Sequence, residues 1–148
     1  MEIRSITASE ARTVRLPVLR AGMPPESAIL DRDDDHGTRH FGAFDGARLV
    51  GVATFFAEPC PGRPGLPAWR LRGMATLHDM QKHGGGSALV AEGVRVATAS
   101  GAALMWCNAR VSARGFYEKL GFVAVGDEFT LPVAGPHYVM IKDLGVRS

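Results

Sequence analysis

The chain is short of cysteine, of clustered basic residues and of long apolar runs, and each shortage removes a class of protein. Its two cysteines, Cys60 and Cys107, form neither a C-x-x-C pair nor a Cys/His cluster at zinc spacing, so no metal site is expected from them. A disulfide between them stays open, but a reduced pair in a cytosolic protein is the expected state. Lys and Arg number 17 against 15 acids, a net charge of +2, and they are scattered. That excludes a nucleic-acid-binding signature. The longest apolar stretch, Leu49–Ala57, cannot span a bilayer, so no membrane partner is expected. MEIRSITASEAR carries early charges and no apolar segment of signal-peptide type, which points to a cytoplasmic location.

At 148 residues with 46% hydrophobic content, the chain suits one globular domain. Glu2–Ile6 alternates in polarity and reads as a strand. Ser9 is the expected N-cap of a helix carrying Ala11, Val14, Leu16 and Leu19, which Pro17 should kink or break. Glu26–Leu30 reads as one more helical turn. Asp31–Gly37 is acidic, but a calcium loop needs glycine at its sixth position and an acid at its twelfth. Those positions hold His36 and Gly42, so a solvated loop is expected.

His40–Phe44 and Arg48–Ala57 read as a hairpin turned at Asp45-Gly46. The second strand is apolar on both faces and should be covered on both. Glu58–Ala68, with four prolines and two glycines, is a stiff connection. Trp69–Thr76 is a strand with Gly73 inside it, where a bulge is expected. Leu89, Val90, Val94 and Ala97 fit an amphipathic helix from Ser87 to Ser100, weakened at Gly93. Ala102–Cys107 reads as a buried strand. Ser112 is expected to cap a helix to Leu120 that buries Ala113, Phe116, Tyr117 and Leu120. Strands follow from Phe122 and over His137–Ile141, giving the order β-α-β-β-β-α-β-α-β-β.

The stretch Leu71–Val90 organises the rest. Gln81, Gly84 and Gly86 are spaced Q-x-x-G-x-G between a strand and a helix. Glycines let the backbone approach a ligand, and a helix starting there aims free N–H groups and its positive dipole end at it. A phosphate or pyrophosphate is the natural guest. A merely flexible loop is the alternative. No Walker motif is present, and Leu89 stands where a dinucleotide fingerprint needs its last glycine.

Together with the later Tyr117-Glu118-Lys119-Leu120-Gly121-Phe122, this unit resembles the GNAT superfamily of acyl-CoA-dependent N-acyltransferases, most strongly over Trp69–Val125. The resemblance implies an α/β (α+β) fold with a mixed, mostly antiparallel central sheet and helices on both faces, as one domain over residues 1–148. It implies acetyl-CoA as cosubstrate, its pyrophosphate on the backbone of Gln81, Lys82, His83, Gly84, Gly85, Gly86 and Ser87, its pantetheine arm beside Met74, Ala75 and Thr76. The Met74 backbone would also bond the thioester carbonyl. Tyr117 would be the general acid, with a packing role as the alternative. Asn108 and Arg110 follow the Ala102–Cys107 strand as further cofactor contacts, although relatives place asparagine nearer position 110.

Relatives often carry a glutamate on the strand matching Trp69–Thr76, where this chain has Arg70 and Arg72. Glu58, Glu128, His78, His137 or an ordered water remain as base. Arg70 and Arg72 on an acceptor-facing sheet face would attract an anionic amine, with a solvated face as the alternative; Glu128 joins them as an acceptor contact. The reading implied is an N-acetyltransferase in which a small-molecule primary amine attacks the thioester in a ternary complex. A non-catalytic acyl-CoA sensor is the alternative, and a homodimer is compatible with the sequence.

Overall fold

A computed structural model describes residues 1–145 of the chain. Its elements are β1 (Glu2–Ser5), α1 (Ala8–Leu19), β2 (Arg39–Asp45), β3 (Arg48–Ala57), β4 (Ala68–Thr76), α2 (Gly85–Ala99), β5 (Leu104–Arg110), α3 (Arg114–Lys119), β6 (Val123–Leu131) and β7 (Gly135–Asp143). The strands form a seven-stranded sheet ordered β1-β2-β3-β4-β5-β7-β6. This is the mixed, mostly antiparallel sheet and the element order expected. Contacts gather the chain into two compact units, the first holding Met1–Phe56 and Leu71–Val96, the second Ala57–Arg70 and the chain from Ala97 onward. Among the described residues no helix is long and apolar enough to cross a membrane.

In the first unit β2 pairs antiparallel with β1 and with β3. Asp45 pairs with Arg48, so the hairpin turn is Gly46-Ala47, one residue later than expected, with Gly46 at φ +60°. β3 is the core of this unit, and side chains alternate across a strand. Val52 packs with Ala11 and Val14 of α1 and with Ala75. On the other face, a Cβ at Gly51 would touch Leu89 of α2, and Phe55 lies against Gly93. The two helices therefore cover opposite faces of β3.

Helix α1 starts earlier than its sequence suggested. Thr7, not Ser9, is its N-cap. The Thr7 hydroxyl accepts from the Glu10 N–H at 3.0 Å, and the Glu10 carboxylate accepts from the Thr7 N–H at 2.9 Å. The reciprocal pair satisfies two end donors at once, which a lone serine does not. The helix also runs through Pro17. That proline lacks only the N–H that would reach the Thr13 carbonyl, and the helix ends two residues later, so little ladder is lost. The segment after it forms a 3-10 turn over Pro25–Ala28.

In the second unit, Ala68–Arg70 of β4 pair in parallel with Leu104–Trp106 of β5, and this ladder ends at Arg70. β7 pairs antiparallel with both β5 and β6. Cys60, Ala68, Leu104 and Trp106 make a core with Val139 and Ile141, so the proline-rich connection is anchored by the Cys60 side chain. Because β7 pairs with it from Leu104 to Arg110, β5 extends past its apolar run, and Asn108 and Arg110 lie within the strand instead of following it. Ser112 does not cap a helix. A 3-10 turn over Val111–Ala113 precedes α3, and of the expected face only Tyr117 is buried. Glu128 lies in β6.

Candidate functional site

Residues 77–84 turn the chain from β4 into α2. The Leu77 N–H bonds the Val50 carbonyl at 2.9 Å, and a 3-10 turn spans His78–Met80. Gln81 is extended, and its side-chain amide donates to the Thr76 carbonyl at 3.2 Å, tying the middle of the turn to the end of β4. Lys82 and Gly84 then take φ of +66° and +89°. Glycine does this freely. At Lys82 the same conformation costs on the order of 1 kcal/mol.

The helix begins at Gly85, two residues before the expected Ser87. Its first bond runs from the Ala88 N–H to the Gly84 carbonyl at 3.1 Å. The N–H groups of Gly85, Gly86 and Ser87 therefore lack an intrahelical acceptor, and Gly84 has no side chain with which to cap them. Lys82, His83, Gly84 and Ser87 are exposed, and α2 is 15 residues long. Free donors at the positive end of a long helix, with cationic Lys82 beside them, are the chemistry a phosphate needs. Met74 and Thr76 are half-buried on the preceding strand, and Ala75 is buried against α1 and β3.

The first unit also holds a buried polar cluster that sequence reasoning missed. Arg15 is 1% exposed and Asp33 5%. The Arg15 Nη1 donates to Asp33 Oδ2 at 2.7 Å and to the Ala28 carbonyl at 3.1 Å. Its Nη2 donates to Asp33 Oδ1 at 3.0 Å and to the Thr54 hydroxyl at 2.7 Å. Thr54 is 2.8 Å from Nδ1 of His40, whose Nε2 lies 2.9 Å from the Asp33 carbonyl oxygen. That carbonyl can only accept, so Nε2 carries a hydrogen, and in the neutral ring Nδ1 accepts from Thr54. Asp33 Oδ2 accepts further from the Leu30 N–H at 3.0 Å. Burial pushes the Asp33 carboxyl up. The hydrogen bonds from Arg15 and Leu30, with the charges of Arg15 and His40, outweigh that and hold it below the usual carboxylate range. The acidic Asp31–Gly37 segment is therefore not simply a solvated loop: its third residue neutralises a guanidinium in the core. The signal was in the pattern, since Arg15 stands four residues after Ala11 on the buried stripe of α1.

In the second unit the Tyr117 ring packs edge-on against Phe116 and Phe122, with centroids 5.0 and 5.4 Å away. Burial, with Cys107 nearby, pushes its phenol well above the ordinary value, so it stays protonated at neutral pH. Among the described residues its hydroxyl makes no hydrogen bond. Cys107 is itself pushed up to about 12 by burial, against the pull of Arg70. Both cysteines are free thiols.

Arg70 is committed. Its Nη1 donates to Glu58 Oε2 at 3.0 Å, and its guanidinium lies 4.8 Å over the Trp106 ring. The Glu58 N–H bonds the Ala68 carbonyl at 3.1 Å, and Trp106 Nε1 donates to the Glu58 carbonyl at 3.0 Å. Glu58 thus places a carboxylate beside β4, whose own sequence has none. Arg72 is half-buried on the same strand as Arg70. Of the other base candidates, His137 is buried, with Nδ1 bonded to the Gly135 carbonyl at 2.7 Å, while His78 and Glu128 are exposed. Among the described residues, no group of three or more His, Cys, Asp or Glu is placed to hold a metal ion.

Residues 6–122 match the model of the acetyltransferase (GNAT) family. Over 144 residues the chain is 33% identical to YitI, an uncharacterized N-acetyltransferase of Bacillus subtilis (strain 168), covering 97% of both chains. Its fold is similar to FeeM, an N-acyl amino acid synthase from uncultured soil microbes, with TM-score 0.79 at 15% identity over 97% of this chain and 90% of that one. It is also similar to an aminoglycoside 6'-N-acetyltransferase complexed with coenzyme A, with TM-score 0.77 at 17% identity over 100% and 99% of the two chains.

Proposed function

This chain belongs to the GNAT acetyltransferase family and is an acyltransferase, and from that premise we propose that it moves an acetyl group from acetyl-CoA to the primary amine of a small molecule. The observation that carries the reading is the uncapped N-terminus of α2, directly after β4. The N–H groups of Gly85, Gly86 and Ser87, with Lys82 and His83 beside them, hold the pyrophosphate. Met74, Ala75 and Thr76 present backbone to the pantetheine arm, and Asn108 and Arg110 on β5 complete the cofactor contacts.

The thioester supplies an activated acetyl group. Amine nitrogen bonds to its carbonyl carbon, the carbon–sulfur bond breaks, and the thiolate takes the Tyr117 proton. The Met74 N–H faces the charge that develops on the carbonyl oxygen. Glu58 takes the proton that the amine loses. It is the base candidate that hydrogen bonds tie to β4, through Ala68 and Arg70. Because Glu58 already answers the charge of Arg70, an acceptor gains little from being anionic at that residue.

The test is release of free thiol from acetyl-CoA over a panel of small amines. Amine-dependent release is expected, and Glu58→Gln should lower kcat/KM by about a hundredfold or more. Tight coenzyme A binding with no turnover on any amine would refute the transfer reading and leave the sensor in its place. Normal turnover by Glu58→Gln would remove Glu58 as base.

A further inference from the structure

Arg15 lies under β4 in a way that the packing of a helix does not require. Its guanidinium has five N–H donors. Four are spent on Ala28, Asp33 and Thr54. The fifth, on Nε, is buried without a partner. That atom lies against Gly73: a Cβ placed there would be 2.7 Å from Nε and 3.3 Å from the guanidinium carbon. Gly73 takes φ of +66° in mid-strand.

These facts fit together as a wedge. The end of a long arginine is ordinarily mobile and would swing aside. Here the bidentate pair with Asp33 and the Thr54 contact fix its plane. The strand must go round it, and only a residue without a side chain, free to turn left-handed, can do so. The β4–β5 ladder has already ended at Arg70. Beyond Arg70 that pairing no longer fixes the peptide between Gly73 and Met74; β3 still pairs with β4 along its other edge, and the guanidinium packed against Gly73 constrains the strand from its face.

We propose that Arg15 is a positioning residue for acyl transfer: it holds the left-handed turn at Gly73 and so aims the Met74 N–H at the thioester carbonyl. The inference rests on the cofactor reading above. The pyrophosphate and pantetheine contacts are common to coenzyme A and acetyl-CoA, whereas the Met74 N–H bond to the thioester carbonyl exists only for the acetylated form. Loosening the wedge should weaken binding of acetyl-CoA and leave coenzyme A alone.

The experiment is titration calorimetry of the full chain with acetyl-CoA and with coenzyme A. The variants are Arg15→Lys, which keeps the charge and loses the fork, and Thr54→Val, which leaves the ion pair whole and serves if the lysine variant does not fold. For a folded variant we expect acetyl-CoA affinity to fall about tenfold, the worth of one hydrogen bond, with coenzyme A affinity within about twofold of wild type. Equal losses for both ligands, or no loss for either, would overturn the proposal, since a purely structural role moves the two together. A wild-type chain that binds both equally would overturn it too. A wild-type chain that binds neither would instead sink the cofactor reading on which it stands.

Discussion

Asp33→Ala is the substitution whose effect follows most directly from the buried cluster. Arg15 is 1% exposed, so removing its counter-charge leaves a guanidinium in the core with neither neutralisation nor water. Two of its four hydrogen bonds go to the lost carboxylate, and the Leu30 N–H loses its acceptor as well. Breaking a buried pair from one side costs about 3–5 kcal/mol. A domain of this size has roughly 5–15 kcal/mol in all, so much of its stability should go. At about 2–4 °C per kcal/mol, the midpoint should fall by roughly 6–20 °C. Urea unfolding followed by circular dichroism at pH 7 measures the loss directly. Adding Arg15→Met to the variant removes the orphaned charge and should restore part of the stability, giving a non-additive cycle. A single variant within about 1 kcal/mol of wild type would refute the reasoning, because it would mean that water reaches the guanidinium.

Asp33 also makes an acid limb. Its carboxyl is held low in the fold, so the unfolded chain takes up its proton first; the pair's contribution is intact above the ordinary carboxylate value near pH 4 and is lost as pH falls from there through the depressed value. Stability measured from pH 6 to pH 2 should fall less steeply in Asp33→Asn than in wild type, and equal slopes would remove Asp33 as the cause. Tyr117→Phe should lower turnover by about a hundredfold or more where chemistry limits the rate, with coenzyme A affinity unchanged; unchanged turnover would restore the packing role. Gly93→Ala should destabilise by about 1–2 kcal/mol in urea unfolding, although alanine favours helix by about 1 kcal/mol, because its Cβ would come 2.1 Å from the Phe55 ring; a more stable variant would refute this.

The parts legible in the sequence were those that short-range physics writes down. The Gly46 hairpin, the apolar β3 and the glycine turn before α2 each follow from residues within a few positions of one another. Errors of register came from competition at the same range. Thr7 and Ser9 could both cap α1, and the Thr7-x-x-Glu10 box decided it. What stayed hidden depended on distant partners. Arg15 meets Asp33 and Thr54 from 18 and 39 positions away. Glu58 reaches Arg70 across a proline-rich segment, so the carboxylate that answers Arg70 lies just past the end of β3. Periodicity can show that an arginine sits on a buried stripe, but not what neutralises it.

That hidden pair bears on why the site is built as it is. A buried Arg–Asp pair is poor evidence for stability, since well-packed apolar residues in its place are often neutral or better. An apolar side chain at position 15 could fill the same volume beneath Gly73, yet nothing would pin it. The pair offers a rigid object: a planar cation held by hydrogen bonds to a 3-10 turn, an acidic loop and the central strand. Stability and discrimination should therefore separate. An apolar replacement of both partners that recovers much of the unfolding free energy should still lose the preference for acetyl-CoA over coenzyme A. If it keeps that preference, Gly73 holds its left-handed turn by its own conformational freedom, and the guanidinium is packing rather than a wedge.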